Sequence, residues 1–121
     1  MPSCDGEYGW PPDKDGRLVI SDSVTSIGTG ALKECDGLTA VAIPNSVTLI
    51  GSRAFASCTV LTAMVTPDSV TSIGEYAFAG CTSLTAVVIS NAVASTAEGA
   101  FYDCSGLTVL TMIRQSPTRS L

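Results

Sequence analysis

Residues 69–89 read SVTSIGEYAFAGCTSLTAVVI, a pattern that the chain has already used twice. Residues 46–66 read SVTLIGSRAFASCTVLTAMVT, and residues 23–43 read SVTSIGTGALKECDGLTAVAI. Each copy begins 23 residues after the previous one, and a fourth, less regular copy follows the third. A fixed period with apolar residues at fixed phases indicates a solenoid, in which stacked repeats share one continuous core.

The same residue types recur along whole columns of the repeat. Valine, alanine, cysteine and leucine columns run through all four copies, and a fifth column holds one leucine and three phenylalanines. The columns are Val24, Val47, Val70 and Val93; Ala31, Ala54, Ala77 and Ala100; Cys35, Cys58, Cys81 and Cys104; Leu38, Leu61, Leu84 and Leu107; and Leu32, Phe55, Phe78 and Phe101. We therefore predict a solenoid over residues 18–113, with about four 23-residue coils and the start of a fifth strand at Leu110.

Within one copy, the residues predict two short strands and two kinds of turn. Residues 40–43 alternate alanine with valine or isoleucine, which is the period of a strand. Proline and asparagine at 44–45 predict a turn, and the β-branched VTLI that follows predicts a second strand. The segment SRAFASC at 52–58 predicts one helical turn. The predicted fold class is a β-rich, leucine-rich-repeat type of solenoid with a parallel sheet on one face and short helical turns.

The combined pattern L-x-x-V-x-I-P-x-S-V-T-x-I-G-x-x-A-F-x-x-C resembles the BspA-type (Treponema pallidum type) leucine-rich repeat over roughly residues 18–113. The resemblance implies a curved right-handed solenoid with a parallel sheet on one face, used for protein binding and often for surface adhesion. Two departures are visible. Leu32 stands where other copies have phenylalanine, while Thr96 and Ala97 replace Ile-Gly and predict a relaxed fourth coil.

The flanking segments differ from the repeats in composition. Residues 1–17 hold Trp10, two adjacent prolines and six charged residues, and we predict a leader or an N-terminal cap there. Residues 114–121 are polar and predict a frayed tail. The sequence shows no secretory signal and no apolar run that could span a bilayer. The expected location is cytoplasmic for a complete chain and the cell surface for a piece of a longer one.

Composition argues against several classes of function. The net charge of −5 argues against binding to nucleic acid. The chain has no histidine, phosphate-binding loop or nucleophile motif, so we predict neither an enzyme nor a cofactor. One acidic and amide column could hold calcium, but an Asx turn explains it fully. That column is Asp22, Asn45, Asp68 and Asn91.

Two further columns have structural interpretations. Stacked coils place successive cysteines roughly 4.8 Å apart with parallel side chains, an arrangement that disfavours a disulfide, and no C-x-x-C pair is present for zinc. We predict four buried free thiols in the cysteine column and an exposed Cys4. A threonine column precedes the main strand and is interpreted as a strand entrance rather than an ice-binding array. It consists of Thr39, Thr62, Thr85 and Thr108.

The outward face of the main strand is the most informative feature. Alternation places small, mostly apolar side chains outward, where a solvated strand face is normally polar. An exposed apolar patch of this kind usually marks an interface. The predicted partner-binding residues are Ala40, Ala42, Ala63, Val65, Ala86, Val88, Val109 and Thr111.

Two functions are consistent with this face. The first is a non-enzymatic protein–protein interaction module that presents its strand face to another protein. The second is a structural fragment of a longer surface adhesin-like repeat protein, with no independent binding activity, in which further repeats or other parts of the parent cover the face. The tail shows no C-terminal cap sequence, which favours the second function and predicts self-association through the last coil.

Overall fold

The computed structural model of the chain describes residues 14–90, 92–93 and 97–113, with side chains as far as Thr108. Most of the predicted leader or cap lies outside the described residues, and so does the whole predicted tail. The relaxation predicted at Thr96 also falls outside them.

Each described coil contributes a main strand and, in the first three coils, a shorter second strand. The main strands are β1 (Arg17–Val19), β3 (Ala40–Ala42), β5 (Ala63–Val65), β7 (Ala86–Ser90) and β8 (Val109–Ile113). The second strands are β2 (Ser26–Ile27), β4 (Leu49–Ile50) and β6 (Ser72–Ile73). Strand β8 confirms the fifth strand that the sequence predicts at Leu110.

All strand pairs are parallel, and each pairing shifts the register by one repeat. Strand β1 pairs with β3, with Leu18 opposite Val41, and β5 pairs with β7, which pairs with β8. The Thr62 N–H donates to the Thr39 carbonyl at 3.2 Å, which continues the stack from β3 to β5. The second strands form a separate sheet in the order β2–β4–β6. This stacking of successive repeats confirms the predicted solenoid.

A column of parallel aromatic rings runs through the centre of the stack. The ring centroids of Phe55 and Phe78 lie 5.3 Å apart with planes inclined by 3°. Those of Phe78 and Phe101 lie 5.4 Å apart and are inclined by 4°. Phe55 and Phe78 have no exposed surface, and equally buried leucines and isoleucines surround them. These buried neighbours include Leu38, Leu61, Leu84, Ile27, Ile50 and Ile73.

The segment predicted as a helical turn is a run of consecutive β-turns. In the second coil, the Ala54 N–H donates to the Gly51 carbonyl and the Ala56 N–H donates to the Arg53 carbonyl. Arg53 and Ser57 have φ values of 56° and 62°, and a left-handed residue prevents a right-handed helix from continuing. The N–H groups of Arg53 and Ser57 donate to carbonyls of the next coil at 2.9 and 2.7 Å. The described residues contain no helix, and the turns instead bind one coil to the next.

The threonine column is held by hydrogen bonds between coils. The side-chain hydroxyls of Thr62, Thr85 and Thr108 donate to the carbonyl of the preceding threonine at 3.4, 3.2 and 3.2 Å. Their N–H groups donate to the same carbonyls at 3.2, 3.0 and 3.0 Å. A second column behaves alike, since the Thr48 and Thr71 hydroxyls both donate at 3.3 Å. These bonds support the structural interpretation of threonine at the strand entrance.

The fourth coil keeps its register although its sequence is irregular. The Ala97 N–H donates to the Ile73 carbonyl at 3.1 Å. The equivalent bonds of Gly51 and Gly74 in the earlier coils are 2.7 and 2.8 Å long. The longer bond coincides with the methyl group that Ala97 places in a column otherwise made of glycine.

Candidate interaction surface

The main strands alternate between core and solvent. In β5, Met64 is buried, whereas Ala63 and Val65 are exposed. In β1, Leu18 is buried and Val19 keeps 77% of its surface accessible. Because successive side chains of a strand point to opposite faces, side chains directed away from the core recur in each coil whose side chains the structure describes. We call this outward side of the five main strands the strand face.

The strand face consists of rows of side chains aligned across the coils. Its large apolar members Val19 and Val65 are 77% and 59% exposed. Ala42 and Ala63 are exposed, while Ala40, Ala86 and Val88 are half-buried. The backbone register aligns Val109 with Ala86 and Thr111 with Val88, and the side chains of Val109 and Thr111 lie outside the described part of the chain. All the other predicted partner-binding residues are accessible from one side of the sheet.

Sequence reasoning missed Arg17, which belongs to the same face. Arg17 lies opposite Ala40 in the parallel register and is exposed. It falls at the last position of the segment predicted as a leader, so it was not counted among the outward residues. Arg17 lies 23 residues before Ala40, so the repeat period alone could have identified it as an outward residue. The face therefore begins with a cation and continues with small apolar residues.

The strand face is nearly free of charge in an acidic chain. None of the eight described strands contains aspartate or glutamate, and Arg17 is the charged residue among them. A shallow hollow of about 280 Å³ lies over β1 and β3, lined mostly by Val19, Ala40 and Ala42 together with Arg17. The chain carries a net charge of −5, and the acids in its described part all lie on turns. The face is thus suited to an apolar contact rather than to an ionic one.

The described residues offer no metal centre and no membrane-spanning element. No group of three or more aspartate, glutamate, cysteine or histidine side chains is arranged among them to hold a metal ion. In the described column, Asp22, Asn45 and Asp68 are exposed turn residues. No helix in the part of the chain that the structure describes is long and apolar enough to cross a bilayer.

The cysteine column departs from the predicted four buried free thiols at both ends, because Cys35 is not free and Cys104 is half-buried. Cys58, Cys81 and Cys104 are free, and each thiol donates to a carbonyl of the preceding coil at 3.2, 3.1 and 3.1 Å. Cys35 is disulfide-bonded, so the prediction of a free thiol is wrong there. The later thiols all bond to the residue 26 positions earlier, and for Cys35 that position precedes the first repeat. The predicted exposure of Cys4 lies outside the described residues.

Iodoacetamide is expected to label Cys81 and Cys104 slowly in the folded protein at neutral pH. Burial raises the pKa of Cys104 to about 11, and the hydrogen bond shared with Cys58 raises the pKa of Cys81, with burial raising it further. Since the thiolate is the reactive form, labelling of Cys104 should accelerate as the pH rises toward 11. Peptide mass spectrometry after denaturation without reductant should show labelled Cys58, Cys81 and Cys104 and an unlabelled Cys35. Labelling of Cys35 before reduction would contradict the disulfide.

A second group of accessible side chains, with Arg53 and Tyr102 exposed and Tyr76 half-buried, lies on the turn side of the coils. Arg53 stacks over the ring of Tyr76, with 4.9 Å between the guanidinium carbon and the ring centroid. Tyr76 in turn meets Tyr102 edge to face, with ring centroids 6.0 Å apart. Sequence reasoning missed this group, because it concentrated on the residues that the columns share. The sequence signal is a residue that differs from the rest of its column: Tyr102 occupies a repeat position that is alanine in the two preceding copies.

Stacked parallel strands, a 23-residue register and buried leucine and phenylalanine columns define a leucine-rich repeat solenoid. The sequence pattern of the BspA type leucine rich repeat region matches residues 16–118 in six copies. The chain belongs to the BspA-type leucine-rich repeat family.

Solved structures of bacterial leucine-rich repeat proteins share the fold. A leucine rich cell surface protein from Faecalibacterium prausnitzii is 33% identical, with a TM-score of 0.78 over 86% of this chain and 27% of that one. The Treponema pallidum leucine rich repeat protein is 30% identical, with a TM-score of 0.69 over 79% of this chain and 45% of its own. A leucine-rich repeat protein from Bacteroides ovatus is 25% identical, with a TM-score of 0.70 over 81% and 31%. The chain thus spans less than half the length of each. No protein of curated function is significantly similar in sequence.

Proposed function

We propose that the protein is a non-enzymatic protein–protein interaction module that presents the strand face to another protein. One observation carries the proposal: the outward side of a solvent-facing sheet is apolar, with Val65 59% exposed between exposed or half-buried alanines and valines. A sheet face that serves only solubility alternates apolar residues inside with polar residues outside. Apolar patches on soluble proteins mark sites that another surface covers.

The shape and chemistry of the face favour a protein partner. Alanine and valine present short side chains, so the face is smooth and loses little side-chain entropy when it is covered. The described strands carry no acid, so a partner meets no buried carboxylate that it would have to pair. Arg17 at one edge provides a polar contact at the rim, which is the usual place for charge in an interface.

Two observations support a location at the cell surface. The similar protein from Faecalibacterium prausnitzii is described as a cell surface protein. Cys35 is disulfide-bonded, and disulfides persist mainly in oxidising compartments outside the cytoplasm. We therefore place the proposed interaction at the surface and regard adhesion as the kind of process it serves.

Replacing both Ala63 and Ala86 with glutamate is expected to abolish partner capture while the protein remains folded. The two positions lie opposite each other in the parallel register, so two carboxylates would enter the middle of the face. A charge that is buried in an interface without a counterion weakens binding by about tenfold or more. The measurement is the set of proteins retained from one extract by each immobilised variant, identified by mass spectrometry, with circular dichroism as the check on folding.

The matched control is the double replacement of Thr59 and Thr82 with glutamate. These exposed residues occupy one column of adjacent coils on the turn side, so the control adds the same charge at the same spacing. The control should retain every partner that the unchanged protein retains. If the Ala63 and Ala86 variant also retained all of them, the strand face would not be the binding surface.

The second candidate function is that of a structural segment in a longer repeat array. It is favoured by one observation: the chain matches only 27%, 31% and 45% of the length of its structural relatives. In such an array, further coils or a neighbouring domain would cover the strand face or extend it. Further 23-residue units in frame beyond Leu121 in the gene would support this function. Sedimentation velocity over a wide range of protein concentrations shows whether single chains self-associate, which the role of a structural segment does not require.

A further inference from the structure

Columns of residues on the turn side form a trough that neither the repeat pattern nor the strand face explains. The trough has a volume of about 250 Å³ and crosses three coils. Its floor includes Ala56 and Ala79, which occupy one column, and Tyr102 stands at the next position of that column. Because alanine leaves a gap that the larger tyrosine does not, Tyr102 closes one end of the trough.

The lining of the trough carries mixed chemistry. The guanidinium of Arg53 lies over the ring of Tyr76. A guanidinium that stacks on a ring keeps its N–H donors in its own plane, where they are available to a ligand. The lining also includes Ser57 and Asp103, which occupy one column of the repeat. The trough thus combines an aromatic surface with hydrogen-bond donors and acceptors.

Four of the residues that line the trough share one backbone conformation. Arg53, Tyr76, Ser57 and Asp103 all have φ between 55° and 62°, a region that disfavours side chains. They are four of the five non-glycine residues with positive φ in the described part of the chain. Other coils place glycine in the same columns, as Gly99 does beside Tyr76. The fifth, Glu34, lies outside the trough in the column of Ser57 and Asp103, so positive φ in these two columns belongs to the repeat, which accepts several residue types there.

Tyr102 provides the free stacking surface. Its side chain is 66% exposed, and its contact with Tyr76 is edge to face. Tyr76 has less free surface, since Arg53 covers one side of the ring and a Cβ atom added at Gly99 would overlap it on another. Tyr76 therefore fixes the position of Arg53 and Tyr102, and Tyr102 presents its ring to solvent.

We propose that this trough is a carbohydrate-binding site that takes one pyranose ring of a glycan. The C–H face of a sugar packs on an aromatic ring, and its neighbouring hydroxyls pair with a planar carboxylate or guanidinium. The lining carries one cation and one anion, and the whole chain is acidic, so a neutral polyhydroxylated ligand fits better than a phosphate. The volume lies below the roughly 300–1,000 Å³ of sites for drug-sized ligands, which suits a single ring of a longer chain.

The experiment uses saturation-transfer NMR with three probes: methyl β-D-glucopyranoside, methyl β-D-galactopyranoside and methyl α-D-mannopyranoside. At least one probe is expected to receive saturation from the folded protein. Tyr102→Ala should abolish the transfer, and Asp103→Asn should weaken binding by about fivefold or more. Tyr102→Phe keeps the ring and should retain the transfer. Tyr102 is largely exposed, so its truncation should leave the thermal unfolding midpoint nearly unchanged.

Three results would overturn the proposal. The first is the absence of transfer to all three probes, and the second is transfer that survives Tyr102→Ala. The third is binding of a library of short fluorescent peptides that depends on Tyr102 while no sugar binds, which would make the trough a peptide site. The site is independent of the strand face, so the Ala63 and Ala86 double variant should bind the sugar as the unchanged protein does.

Discussion

Replacing Phe78 with alanine is expected to lower the free energy of unfolding by about 3–5 kcal/mol, enough to unfold a marginally stable domain. The Phe78 ring has no exposed surface and stacks between Phe55 and Phe101 at 5.3 and 5.4 Å. Removing it leaves a cavity with ordered coils on both sides, so the surrounding chain can collapse only partly. Urea denaturation followed by circular dichroism measures the change.

The same truncation at Phe101 serves as the control and should cost clearly less. Phe101 is half-buried and stacks on Phe78 alone among the described rings. Folding removes less apolar surface of Phe101 than of Phe78 from water, so truncating Phe101 should lower the free energy of unfolding by less. An equal loss of stability in the two variants would show that the fourth coil packs as tightly as the third, and the assignment of the core would be wrong.

Gly74→Ala is expected to destabilise the protein by about 1–3 kcal/mol through overpacking. A Cβ atom at Gly74 would lie 2.6 Å from the Ser52 nitrogen and 2.8 Å from the Gly51 carbonyl carbon, which are backbone atoms of the preceding coil. Backbone atoms cannot rotate away as a side chain can, so the coils must separate. Thermal unfolding of the variant measures the effect.

Gly37→Ala is the matched control for this prediction. Gly37 is exposed, and a Cβ atom there would meet no atom within 4 Å. The substitution adds the same methyl group and should leave stability unchanged or raise it slightly, because alanine restricts the unfolded chain. If the two alanine variants were equally stable, close contact between coils would not be the reason for glycine in this column.

Much of the fold could be predicted from the repeat because each column reports one position in every coil. The alternation of residues 40–43 identified both the core and the outward face, and the 23-residue step fixed the register. The repeat did not indicate whether residues 52–58 form a helical turn or consecutive β-turns. The alanines of its A-F-A segment favour a helix. The left-handed φ of Arg53 is indicated in the sequence only by the glycines at the equivalent position of other copies.

Other features depend on contacts that the residue types repeated in a column do not predict. The disulfide of Cys35 requires a partner outside the repeat register, and equal spacing within the column gives no sign of it. The trough crosses three coils and is closed where Tyr102 replaces the alanine of the two preceding coils, so the repeat pattern alone does not predict it. The strand-face residues could be named in advance because exposure follows from alternation, whereas the partner's identity depends on another molecule.

Hydroxyl-radical footprinting of the protein with and without a captured partner tests most directly whether the strand face is the binding surface. Val19 and Val65 report on that face, being 77% and 59% exposed, and Tyr102, which is 66% exposed, reports on the turn side. Binding is expected to suppress oxidation of the two valines and leave oxidation of Tyr102 unchanged. Suppression at Tyr102 with unchanged oxidation of Val19 and Val65 would contradict the proposed function.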